Sequence, residues 1–145
     1  MTEPFSIRNE MIAFSIPGEA IPFARAGSNG KRRFTPPKQA NFMDVVKLFA
    51  QRAMEGTAPL EGPLRMQVRA TYLVPVSWSK KKQASATWKS TKPDADNITK
   101  ILKDSLNKIV WQDDAQVADL HVQKKFGPIA SVTVCVSRLE SKIGE

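Results

Sequence analysis

The sequence contains a single cysteine and a single histidine among its 145 residues. Since Cys135 has no partner within the chain, an intrachain disulfide is excluded, and a reducing compartment is the simplest interpretation. No stretch approaches the ~20 apolar residues of a membrane span, and the first residues lack the basic and apolar parts of a secretory signal. We therefore expect a cytoplasmic protein without a membrane segment.

Acidic residues are also scarce, because 14 Asp and Glu stand against 22 Lys and Arg, which gives a formal net charge of +8. An excess of this size suggests a polyanion as partner. The basic residues gather at 25–33, 80–92 and 100–108, and the acidic residues form two small pairs, Asp94 with Asp96 and Asp113 with Asp114. Carboxylates beside basic stretches would weaken simple phosphate binding, so the acidic pairs indicate a separate chemical role.

The hydrophobic pattern predicts one α+β domain over residues 1–145. Residues 64–74 alternate between apolar and polar side chains, as in a strand buried on one face, and residues 38–54 carry one apolar stripe at helical spacing. We further expect a strand over 11–16, a helix starting near Asp96, a final strand pair over 117–126 and 129–138 with Gly127-Pro128 as its turn, and polar loops over 17–37 and 76–92. The order β-α-β-α-β-β predicts a mixed β-sheet with two helices packed on one face.

The first acidic pair leads into the second predicted helix. Pro93 disfavours helix at the residue before it, so Asp94 and Asp96 are expected in an extended segment, where a spacing of two puts both side chains on the same side. Two adjacent carboxylates repel unless a cation lies between them, and Mg²⁺ binds carboxylate oxygens together with substrate phosphates. The alternative for Asp96 is an ordinary helix cap in a favourable position for the helix dipole.

Lys100 follows Asp96 by about one helical turn and lies off the apolar stripe of the helix. It could neutralise a carboxylate, contact a scissile phosphate or stabilise charge in a transition state. The alternative is a plain i, i+4 ion pair with Asp96, which contributes little. Asp104, one turn further on, could belong to the acidic group or pair with Lys100 or Lys108.

Three stretches together resemble the core of the RusA family of Holliday junction resolvases. They are KPDADNITK at 92–100, LKDSLN at 102–107 and VWQDDAQV at 110–117. Earlier residues, IPG at 16–18 and RFTP at 33–36, also look like the N-terminal part of such sequences. The combined pattern is far more specific than the Asp-x-Asp spacing alone.

The resemblance implies a Mg²⁺- or Mn²⁺-dependent endodeoxyribonuclease of DNA recombination and repair. It implies a homodimer that binds a four-way (Holliday) junction and makes paired, symmetric nicks. The family's catalytic carboxylates, which are its metal ligands, would fall on Asp94, Asp96 and Asp114. Asp113 is the alternative to Asp114, because the spacing after the helix varies among members. The catalytic lysine would fall on Lys100.

Basic and aromatic residues outside these motifs are candidates for DNA contacts. The phosphate-binding candidates are Arg32, Arg33, Lys80, Lys81, Lys82 and Lys92, although an ordinary solvated surface explains such residues nearly as well. Trp78 and Trp88 flank the lysine-rich loop and could stack on unpaired bases, although packing at the base of the loop is the favoured interpretation. Two rival functions stay open: a non-catalytic branched-DNA-binding protein of the same fold, and a nuclease for flaps or forks.

Overall fold

The structure is a computed structural model that describes residues 11–22, 27–29, 32–34 and 36–139. Its strands are β1 (Met11–Pro17), β2 (Gly27–Asn29), β3 (Arg32–Phe34), β4 (Leu64–Tyr72), β5 (Val117–Phe126) and β6 (Ser131–Arg138). Its helices are α1 (Pro37–Met54), α2 (Lys80–Ala84) and α3 (Ala95–Leu106), with a 3₁₀ turn at Asp114–Gln116. Within these residues no helix has both the length and the apolar character to cross a membrane.

Four strands form one mixed sheet in the order β1-β6-β4-β5. β6 runs antiparallel to both β1 and β4, and β5 runs parallel to β4 as the last strand of the sheet. On β4, Leu64, Met66 and Ala70 are fully buried, while the alternating Arg65 and Arg69 point to the opposite, solvated face. The predicted α+β domain with one mixed sheet is confirmed.

The two long helices cover the apolar face of this sheet. Helix α1 contacts β1 and α3, and α3 contacts β5. On α3, Ile98, Ile101, Leu102 and Leu106 are completely buried in the core that these elements share with the sheet. The apolar face of α3 is therefore fixed against the core, and its polar face is turned toward the edge strand.

The predicted pairing of the last two strands is wrong, because β4 lies between β5 and β6. The four residues after Phe126 pass over the end of β4, a distance of about 10 Å for two strand spacings. Gly127 lies close to the end of β4 at this crossing, because its N–H donates to the Tyr72 carbonyl at 2.9 Å. A Cβ at this position would lie only 2.7 Å from Thr71 Cγ2. The Gly127-Pro128 turn is present, but it leads the chain across the end of β4 instead of closing a hairpin.

Both predicted polar loops contain short regular elements. The first loop holds the antiparallel pair of β2 and β3. The second holds α2, whose start is capped by Ser79, since the Ser79 hydroxyl accepts from the Lys82 N–H at 3.2 Å. A five-residue helix has too few positions for a hydrophobic stripe, so periodicity could not reveal it.

Burial predicts which leucines maintain this packing. Leu102→Ala on α3 removes a completely buried side chain and should lower the free energy of unfolding by about 2–5 kcal/mol. Leu48→Ala on α1 is the matched control, because Leu48 is 46% exposed and should change that free energy by less than about 0.5 kcal/mol. Denaturant unfolding measures both. Equal losses for the two variants would contradict the placement of α3.

Candidate active site

The acidic pair lies at the beginning of α3. Asp94 occupies the N-cap position with extended backbone, and its side chain makes no capping hydrogen bond. Asp96 already lies in the first helical turn, so the expectation of an extended backbone is right for Asp94 and wrong for Asp96. A carboxylate in the first turn is stabilised by the positive end of the helix dipole. The proposal that Asp96 caps the helix is also wrong, because Asp94 holds that position.

A cavity of about 460 Å³ opens between α3 and the edge strand β5. Its apolar floor includes Leu120 and Val122 of β5. The charged residues that line it are Asp96, Lys100, Lys103, Asp104 and Asp114. Three of the four residues predicted to be catalytic, Asp96, Lys100 and Asp114, therefore border one space.

Local hydrogen bonds separate the roles of Asp113 and Asp114. The Asp113 carboxylate caps the 3₁₀ turn, since it accepts from the Ala115 N–H at 2.9 Å. Gln116 completes this capping box and donates to the carbonyls of Leu60 and Gly62 at 3.0 and 3.1 Å. Asp114, in contrast, lines the cavity. Asp113 is occupied by a structural role that leaves Asp114 as the carboxylate of this pair that faces α3.

Lys100 forms an ion pair with Asp104 one turn further along α3, with Nζ and Oδ2 3.8 Å apart. Both side chains are well exposed, at 51% and 39%. Long contacts between exposed charges contribute little to stability. Asp104 thus pairs with Lys100 and also borders the cavity with Asp96 and Asp114, so the two alternatives for this residue are compatible.

Asp94 lines a second cavity, of about 450 Å³, on the other side of the start of α3. Glu19, Tyr72, Lys92 and Asn97 also border this space. Within the described part of the chain, no three Asp, Glu, His or Cys side chains lie close enough to hold a metal ion. A metal site formed by Asp94, Asp96 and Asp114 together stays a prediction.

Lys124 of β5 is a residue that the sequence reasoning missed. Its Nζ donates to the carbonyl oxygens of Thr91 and Pro93, each at 2.7 Å. These carbonyls belong to the segment that leads directly into Asp94, so Lys124 ties the start of α3 to the edge strand. A signal was present, because Lys124 interrupts the inward-facing run of Leu120, Val122 and Phe126 with a charged residue.

The phosphate-binding candidates lie in different parts of the chain. Lys80, Lys81 and Lys82 are exposed on α2, and Lys92 is exposed beside the second cavity. Only the backbone of Arg32 and Arg33 is described, in β3, and their side chains lie outside the described part of the structure.

His121 faces the solvated side of the sheet, away from the cavity between α3 and β5. Its Nε2 lies 2.9 Å from Asp119 Oδ1, and the Arg65 guanidinium donates to the other oxygen of Asp119 at 2.7 Å. This hydrogen bond from Arg65 is the main reason why the pKa of Asp119 is lowered. The cluster lies on the face opposite α3, so neither His121 nor Asp119 borders the cavity.

Comparison with known proteins identifies the family. The family model described as Endodeoxyribonuclease RusA matches residues 17–137 of the chain. The chain is also 35% identical over 142 residues to the uncharacterized protein YqaN of Bacillus subtilis (strain 168), covering 91% of this chain and 99% of that protein. The chain therefore belongs to the RusA endodeoxyribonuclease family.

Tyr72, which borders the second cavity, leads to a prediction about its titration. Its hydroxyl is buried and has no hydrogen-bond partner among the described residues. Burial, helped by the charge of Glu19, raises the pKa of Tyr72 from 10.0 to about 12. Tyr72 is the sole tyrosine, so absorbance of the phenolate reports it alone. We expect a midpoint near 12 in the folded protein and a smaller value in Glu19→Gln.

The same shift fixes the sign of its effect on stability. The folded protein favours the neutral phenol, so this contribution is complete below the unfolded pKa of 10.0 and is lost as the pH rises toward 12. A native titration midpoint at 10 would contradict the burial of the hydroxyl.

Proposed function

We propose that this protein is a metal-dependent endonuclease that resolves four-way DNA junctions by paired, symmetric nicks. The observation that carries the proposal is the cavity between α3 and β5, where Asp96, Lys100 and Asp114 border one space in a chain of the RusA family. Carboxylates and a lysine around a solvent-open cavity suit phosphodiester hydrolysis, which needs no Ser, Cys or His nucleophile. The net charge of +8 favours a nucleic acid as substrate.

The donor set of the cavity fits a hard divalent cation. Neither Asp96 nor Asp114 has a hydrogen bond or ion pair through its carboxylate among the described residues. Mg²⁺ is commonly held by one or two carboxylates, with water and substrate phosphates as its remaining ligands. In this proposal Asp96 and Asp114 hold Mg²⁺ or Mn²⁺. Asp94, which borders the second cavity, is the family's remaining candidate ligand. When bound, such an ion stabilises negative charge on the phosphate as a Lewis acid.

The protein's own residues supply positioning and positive charge. Lys100 would donate to a phosphate oxygen and offset the negative charge that develops there. Lys124 would keep the acidic segment in place, because its two hydrogen bonds fix the carbonyls just before Asp94. Leu120 and Val122 of β5 give the cavity an apolar floor beneath these charged groups.

The proposed substrate implies a proposed assembly. A four-way junction has approximate two-fold symmetry, so a homodimer with two equivalent cavities would cut two strands symmetrically. We propose this homodimer, with action in the cytoplasm, as part of the function. Size-exclusion chromatography with light scattering tests the dimer independently of cleavage.

Two rival functions use the same fold. A non-catalytic branched-DNA-binding protein would use the carboxylates only as caps and ion-pair partners. That role is shown for Asp113, whereas Asp96 and Asp114 have no such partner among the described residues. A nuclease for flaps or forks would use the same cavity, and the choice of DNA substrate distinguishes it.

The adjacent aspartates offer a matched test of the catalytic cavity. Asp114→Asn should lower the cleavage rate of a synthetic four-way junction by about 100-fold or more, because it removes a charge from the cavity. Asp113→Asn should stay within about threefold of the wild type, since asparagine caps a helix about as well as aspartate. Both rates are measured with Mg²⁺, and junction binding is recorded on the same gels.

Loss of cleavage only in Asp113→Asn would show that Asp113, and not Asp114, is the catalytic carboxylate. Tight junction binding with no cleavage by the wild type would favour the non-catalytic rival.

A second prediction concerns the three lysines of α2. Replacement of Lys80, Lys81 and Lys82 by alanine should flatten the plot of log K for DNA binding against log salt concentration by about 0.9 for each phosphate that the variant no longer binds. A control with the same charge change replaces Lys38, Lys47 and Arg52, which are exposed on α1. If the α2 variant keeps the slope of the wild type, or if both variants lower the slope equally, α2 is not part of the proposed DNA interface.

A further inference from the structure

Trp88 is a large aromatic side chain that the structure leaves 60% exposed. Its backbone is nevertheless fixed to the edge strand, because Trp88 and Lys125 form an antiparallel bridge. Hydrogen bonds flank this bridge on both sides, from the Phe126 N–H to the Thr87 carbonyl at 2.8 Å and from the Lys89 N–H to the Lys124 carbonyl at 3.0 Å. The ring is thus held in place and presented to solvent.

Trp78 provides the contrast within the same segment. Its ring packs against Phe126 in a T-shaped arrangement with centroids 5.3 Å apart, and Lys82 Nζ lies 4.0 Å above it. The expectation that the tryptophans pack at the base of the loop is therefore right for Trp78 and wrong for Trp88. Packing accounts for the first ring and does not account for the second.

The surroundings of Trp88 favour a polyanion that carries aromatic groups. Five lysines and no acidic residue occur between Leu73 and Pro93. Lys125 Nζ lies 4.7 Å from the centroid of the Trp88 ring, so a cation covers one face of the ring. A base can stack on the other face while its phosphates lie among the lysines, which is the usual arrangement for binding of unpaired nucleic acid.

Trp88 is also close to the candidate active site. Trp88 lies six positions before Asp94. This limits the distance between their Cα atoms to about 20 Å, or roughly six base steps of a DNA strand. Lys124 anchors the intervening segment through its side chain, while Trp88 pairs with Lys125 along the edge of β5. DNA that crosses this edge strand can reach both the tryptophan and the cavity between α3 and β5.

We propose that Trp88 stacks on an unpaired base at the branch of a DNA substrate, which brings the branch point toward the cavity between α3 and β5. The inference rests on the proposed function for its choice of DNA as ligand. It goes beyond that function in naming the group that distinguishes branched DNA from continuous duplex. In an intact duplex both faces of each base are already stacked, so only a base at a branch or frayed end can offer a face to Trp88.

Binding measured in EDTA tests this inference without any need for cleavage. Forked DNA carries 2-aminopurine at the unpaired position nearest the branch, and linear duplex is the reference. Trp88→Ala should weaken binding of the fork by about 5- to 100-fold and leave duplex binding within about twofold. Trp88→Phe should retain most of the fork affinity, because a smaller aromatic ring still stacks. The matched control is Val76→Ala, which removes a side chain that is 95% exposed on the same loop.

The fluorescence of 2-aminopurine gives a second readout that a loss of folding would not imitate. Its emission should fall on binding of the wild type, Trp88→Phe and Val76→Ala, and stay unchanged on binding of Trp88→Ala. Fork affinity and emission in Trp88→Ala equal to those of the wild type would overturn the inference, as would equal affinity of the wild type for fork and duplex.

These results separate the inference from the proposed function. Stacking that depends on Trp88 in a protein that cuts no junction would support the inference and contradict the nuclease. Junction cleavage by a protein whose Trp88→Ala variant binds forks normally would do the reverse.

Discussion

The attachment of α3 to the edge strand β5 is the constraint on which the candidate site depends. At the start of the helix, Lys124 of β5 donates to two carbonyls, including that of Pro93. At its end, the buried indole N–H of Trp111 donates to Asn107 Oδ1 at 2.7 Å, and Gln116 ties the following turn to the loop before β4. Both ends of α3 are therefore held by hydrogen bonds, which position the polar face of the helix beside β5.

The backbone at the two ends of α3 gives neighbouring carboxylates different roles. Asp113 satisfies backbone N–H groups of the turn, whereas Asp114 borders the cavity, although the two residues are adjacent. Asp94 and Asp96 are separated in the same way, since the helix begins between them and directs them to different cavities. The chemical assignment of an acidic residue in this protein therefore follows from its backbone position and not from its spacing in the sequence.

The sequence predicted those parts of the structure that depend on long periodic patterns or on family motifs. The alternation around β4 and the stripe of α1 are set by burial on one face, which repeats at a fixed period. The pairing order of β5 and β6 was missed because a short connection fits both a hairpin and a step across β4. Lys124 was missed, and the exposure of Trp88 was not predicted, because both result from contacts between distant segments. A lysine on the inward face of a strand was the one local sign of such a contact.

The most direct test of the central claim is cleavage of a synthetic four-way junction by the wild-type protein, compared with linear duplex, in Mg²⁺ and in EDTA. Asp96→Asn is run beside it, with binding measured on the same gels. The account predicts paired, symmetric nicks in the junction that need the metal and are lost in Asp96→Asn while binding persists. Cleavage that survives in EDTA or in Asp96→Asn would contradict the assignment of the cavity between α3 and β5 as the active site.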